Sequence, residues 1–104
     1  MATQDPNKAT GTALKEREKT DKPRLWKVVF HNDDFTTQEF VVEVLMRFFG
    51  HDRTGAPRVM LLVHHTGAGI AGVYTREVAE TRVRQATEYA ETAQHPLLIT
   101  MEPE

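Results

Sequence analysis

Five residues of this chain carry side chains that accept hydrogen bonds and fall where a ligand could reach them: Asn32, Asp33, Asp34, Thr36 and His64. The first four stand between a β-type run and a helix-type run, and loops held between rigid elements are where binding residues gather. His64 follows Met60 by four positions, so both fall on one helix face, with Val63 beside them. Gln38, Val41 and Leu45 recur at i, i+3 and i+7 on an earlier helix. If those two helices meet, they enclose a partly apolar pocket rimmed by acceptors. A ligand with one ammonium group and one apolar body suits such a pocket, because an ammonium has three donors and no acceptor. The plainer alternative stands beside it. Asn-Asp-Asp is a common turn, a single histidine is often a surface group, and a Met and Val stripe is often only core.

Other chemistries fit less well. His31, Asp33 and Asp34, with His64 and His65, offer nitrogen and oxygen ligands, but no H-E-x-x-H or calcium-loop spacing occurs. No metal and no cofactor is expected. Serine and cysteine are both absent, and no phosphate-cradling glycine loop is present. The glycines at 67, 69 and 72 suit a turn and a close-packed strand. The chain therefore reads as a binder and not as an enzyme, with no catalytic residue assigned. Hydrolysis by the acidic run with His64 is the competing enzymatic reading.

The elements that must position these residues follow from periodicity. Leu25 to His31 alternates, with Trp26, Val28 and Phe30 on one face and Lys27, Val29 and His31 on the other. Thr36 and Glu39 have capping-box spacing ahead of Phe40, Val41, Val44, Leu45, Phe48 and Phe49, and Gly50 stops that helix. A second helix starts near Thr54, tolerates Pro57 in its first turn and ends by Gly67. Gly69 to Tyr74 reads as a strand. Thr75 caps a third helix with Ala79, Val83, Ala86 and Ala90 on its apolar stripe, and His95-Pro96 stops it. Leu97 to Met101 is the last strand. The order β-α-α-β-α-β predicts an α/β two-layer sandwich, three helices on a small three-stranded antiparallel sheet.

The chain has 104 residues, enough for one small domain. Residues 1–24 hold no aromatic side chain and carry a net charge of +2, which predicts a flexible N-terminal extension ahead of a core over 25–104. The whole chain is at −2, which argues against a nucleic-acid partner. No apolar run is long enough to span a membrane. Absence of cysteine and of a secretory signal suits a cytoplasmic location.

Three stretches carry a family resemblance: WKVVFHNDDFTTQEFVVEVLMRFFG, MLLVHHTGAGIAGVYTREVAETRV and HPLLITME. Together they resemble the ClpS adaptor family, the N-degron (N-end rule) recognition proteins of bacterial Clp proteases. The resemblance implies an adaptor that binds substrates beginning with Leu, Phe, Tyr or Trp. It places Asn32, Asp33 and His64 at the α-amino group, and Asp34, Thr36 and Gln38 at the pocket mouth. It places Val41, Met60, Val63 and Leu97 in the apolar wall and Phe30 at the floor. Glu77, Glu80 and Arg82 match a surface that docks on the N-terminal domain of a Clp AAA+ unfoldase of the ClpA or ClpC type. The extension matches a segment involved in handing substrate over. Gln38 stands where the family usually has Met, and Phe30 replaces a smaller aliphatic residue. The alternative within the family is a regulator of the unfoldase with weak or altered N-degron binding.

Overall fold

The computed structural model describes residues 23–104. The chain runs β1 (Leu25–His31), α1 (Gln38–Phe49), α2 (Gly55–Thr66), β2 (Ala68–Thr75), α3 (Arg76–Thr92) and β3 (Leu98–Pro103). The expected extension lies outside the described residues apart from Pro23 and Arg24. The three strands form one antiparallel sheet in the order β2-β1-β3. The helices make the second layer, which is the expected sandwich.

β1 takes the centre because its sequence can be buried. Val28 and Phe30 are fully covered on the helix side, and Val29 is nearly covered on the other. Burying each such side chain stabilises by about 1.5–3 kcal/mol. The Phe30 ring meets Phe49 of α1 edge-on at 5.3 Å between centroids, a favoured aromatic geometry. Opposite Val28 and Val29 the ladder slips by one residue, leaving Ala71 of β2 as a bulge. The Ala71 carbonyl accepts a hydrogen bond from the His51 ring at 2.6 Å.

The helix ends depart from expectation in two places. The capping box of Thr36 and Glu39 does not form. Thr37 caps α1 instead, its hydroxyl accepting the Phe40 N–H at 3.1 Å. The Thr36 hydroxyl donates to Asp33, and an ionised carboxylate is the stronger acceptor. At the far end of α3 the chain turns at Gln94, whose φ of 63° ends the helix before His95 and Pro96 are reached. Elsewhere the stops are those read from sequence: Gly50 and Gly67 both sit at left-handed φ and close α1 and α2. α2 starts where expected, with Thr54 as its N-cap residue; the Thr54 side chain makes no cap bond, and Asp52 instead accepts the N–H groups of Thr54 and Gly55 at 3.0 and 2.6 Å.

Candidate functional site

β1 ends beside the end of α2 because the β1–β2 ladder sets His31 opposite Ala68, and one further backbone bond extends it. The Asn32 N–H donates to the Gly67 carbonyl at 2.9 Å, and the Gly67 N–H donates to Val63 at 2.9 Å. This places the Asn32–Thr36 bend one helical turn from His64. Residues 30 positions apart in the chain thereby share one rim.

The bend is organised by Asp33. Its Oδ1 accepts the N–H groups of Phe35 and Thr36 at 2.8 and 2.7 Å. Its Oδ2 accepts the Thr36 hydroxyl at 2.7 Å. Partial burial works to raise the carboxyl pKa. The Thr36 hydroxyl, the two backbone N–H groups and the nearby His95 ring together outweigh it and hold Asp33 below the usual value. Two lone pairs per oxygen leave Oδ1 filled and Oδ2 with one open position.

Asp33 borders a cavity of about 380 Å³. Its polar rim is Asn32, Asp33, Asp34, Thr36, Gln38 and His64, and its apolar wall is Val41, Met60 and Val63. Nine of the expected site residues therefore come together at one opening. The volume falls in the range of about 300–1,000 Å³ typical of small-ligand pockets. Thr37 and Glu39 also border it. Helical spacing assigns Glu39 away from Val41, whereas Thr37, the N-cap one turn before Val41, is passed over when the capping box is read at Thr36. The rim carries Asp33, Asp34 and Glu39 and neither lysine nor arginine. It is an acidic opening over an apolar pocket, the complement of an ammonium with a hydrophobic body.

Two expected lining residues stand elsewhere. Phe30 and Leu97 lie in the buried core and do not border the open cavity. The Phe30 ring is committed to Phe49. A second hollow, about 410 Å³, lies across Gln38, Glu39 and Met60 from the first and is completed by Val42 and Pro57.

Glu77, Glu80 and Arg82 sit on the first half of α3, away from the cavity lining. Glu77 and Glu80 are exposed, and Glu80 pairs with Arg76 at 3.3 Å. Arg82 is half-buried, and its guanidinium donates to the Phe48 carbonyl at 2.6 Å, tying α3 to the end of α1. Among the described residues no cluster of three or more His, Asp or Glu is arranged to hold a metal, and no helix is long and apolar enough to cross a membrane.

The chain is similar to known proteins. The family described as ATP-dependent Clp protease adaptor protein ClpS matches residues 21–100. The chain is 55% identical over 95 residues to the ATP-dependent Clp protease adapter protein ClpS of Maricaulis maris, covering 91% of this chain and 87% of that one. It is 52% identical over 93 residues to the protein of the same name from Deinococcus radiodurans, covering 89% and 82%. Among solved structures it is similar to Agrobacterium tumefaciens ClpS2 bound to L-phenylalaninamide. The TM-score is 0.77 and the identity 40%, over 80% of this chain and 100% of that one.

Proposed function

Since the chain belongs to the ClpS family of adaptor proteins for the ATP-dependent Clp protease, we propose that its cavity takes the free N-terminal residue of a substrate protein. The adaptor is not itself the enzyme; peptide-bond cleavage belongs to the protease. The observation that carries the reading is the Asp33 carboxylate, held by Phe35 and Thr36 with one acceptor position left over, at the rim of an apolar pocket. In this reading Asn32, Asp33 and His64 accept the three ammonium donors. Val41, Met60 and Val63 receive a Leu, Phe, Tyr or Trp side chain. Asp34, Thr36 and Gln38 border the departing chain. The ligand of the A. tumefaciens neighbour, phenylalanine amide, has the same chemistry: one free amine, one apolar side chain and no second residue.

Delivery requires a second surface. Glu77 and Glu80, exposed on α3, serve as the docking face for the N-terminal domain of a Clp unfoldase, with Arg82 fixing that face to α1. Residues 1–24 act as the segment that takes part in the hand-over.

The test is fluorescence anisotropy with peptides that differ only in residue one, alongside N-acetylated controls. Acetylation removes the charge and leaves the rim acceptors unpaired, which costs on the order of 2–5 kcal/mol. Free-amine Phe and Leu peptides are expected to bind more than about tenfold tighter than their acetylated forms. Equal binding refutes the assignment. Docking on the unfoldase without N-terminal selectivity leaves the regulator as the function.

A further inference from the structure

The bend that carries the rim also displays a side chain with no function inside the fold. Phe35 is 78% exposed, the most exposed large hydrophobic residue among those described. It belongs neither to the core nor to the residues packed on it. A single exposed apolar side chain is ordinary on a protein surface, but two observations set this one apart. The first is position: Phe35 lies between Asp34 and Thr36, and both border the cavity. The second is presentation. Its own N–H is bound to Asp33 Oδ1 at 2.8 Å, and the next residue holds the same carboxylate through two further bonds. The backbone beneath the ring is fixed before any ligand arrives, so a contact there forfeits little chain entropy. An aromatic ring adds only two side-chain torsions to order.

We propose that Phe35 is a contact residue for the substrate chain immediately beyond its first residue. The inference rests on the cavity being the N-terminal-residue site. With the amine and first side chain inside, the rest of the peptide must leave across the rim. An extended chain advances about 3.3 Å per residue, and its third side chain returns to the side of the first. Residues two and three therefore cross a strip about 7 Å long. The neighbouring rim groups on this bend, Asp34, Thr36 and Thr37, are polar. Phe35 supplies the apolar surface against which an aliphatic or aromatic side chain at these positions can lie. A single-residue ligand ends before reaching it.

The experiment compares the full chain with Phe35→Ala and Phe35→Leu, using two probes: phenylalanine amide and the tripeptide amide Phe-Ala-Leu. Isothermal titration calorimetry reads both affinities. Phe35→Ala is expected to weaken the tripeptide about three- to tenfold and to leave phenylalanine amide within about twofold. Phe35→Leu, which keeps an apolar side chain, retains most of the tripeptide affinity. Equal weakening of both probes by Phe35→Ala means that the ring acts through the Asp33 bend, and overturns the proposal. No change with either probe also overturns it. If the unsubstituted chain binds neither probe, the N-terminal-residue reading itself falls, and this inference with it.

Discussion

Thr36 gives Asp33 both its backbone N–H and its hydroxyl, each at 2.7 Å. One residue thus holds both carboxylate oxygens, so the charge at the rim has a fixed direction as well as a location. The same pair explains why Thr36 is lost as a helix cap and Thr37 takes its place.

Thr36→Val tests that orientation. The substitution keeps the shape and the backbone N–H but removes the hydroxyl donor. Peptide affinity is expected to fall by about two- to tenfold, corresponding to about 0.5–1.5 kcal/mol for one hydrogen bond. Asp33→Ala, which removes the acceptor itself, falls further. Circular dichroism is expected to report an intact fold for both, because neither residue belongs to the buried core. Unchanged affinity in Thr36→Val would show that the carboxylate needs no such hold.

The pH dependence has two limbs with different owners. Asp33 has a folded-state pKa below the ordinary value of about 3.9. Its contribution to the bend is therefore fully present above about pH 4 and is lost as pH falls through the lower folded-state value. The Thr36 amide resonance is expected to stay constant from pH 7 to 5 and to shift only below about pH 4. On the alkaline side the peptide amine loses its proton, from a free value of about 7.7–8.0, and affinity declines above about pH 8. A Thr36 titration centred near neutral pH, or affinity undiminished at high pH, would contradict these assignments.

Gly69 controls the pocket wall from behind. A Cβ at this buried position would stand 2.8 Å from Val63 Cγ2. Val63 borders the cavity, so Gly69→Ala must displace a wall residue. Overpacking of this kind costs about 1–3 kcal/mol. A lowered thermal midpoint is expected together with weaker peptide binding, more severe for Phe and Trp than for Leu. A destabilised variant with the original ranking would mean that Val63 yields away from the pocket.

Gln38 and Met60 both border the two neighbouring hollows, so they form part of the partition between them. Gln38 is exposed, and its carboxamide keeps its hydrogen bonds by staying near water. A thioether would cover an aromatic ligand better. Gln38→Met is expected to raise affinity for Phe and Trp peptides about two- to fivefold relative to Leu peptides. A panel beginning with Leu, Phe, Tyr, Trp, Ile and Val checks it. An unchanged ranking would remove Gln38 from selectivity.

Much of this was legible in the linear chain. Alternation in Leu25–His31, helical spacing from Phe40 to Phe49 and the glycine stops at 50 and 67 are short-range signals, and short-range sterics generate them. The residue types at the rim declared their chemistry for the same reason: carboxylate, amide and imidazole are acceptors wherever they stand. What tertiary structure alone decided was how competing partners were shared out. Capping-box spacing with Glu39 favours Thr36 by sequence, but Asp33 claims its hydroxyl and Thr37 caps the helix instead. Phe30 alternates correctly for a core or for a pocket floor, and the ring of Phe49 across the layer takes it into the core. Arg82 reads as a surface charge, yet the uncapped carbonyl of Phe48 at the end of α1 draws it inward. The meeting of Asn32 with the helix of His64 follows from the pairing of β1 with β2 and the bond to the Gly67 carbonyl, contacts across more than 30 residues. Periodicity describes each element by itself; only the packed sheet and helices determine which elements meet, and so which acceptors surround one ammonium.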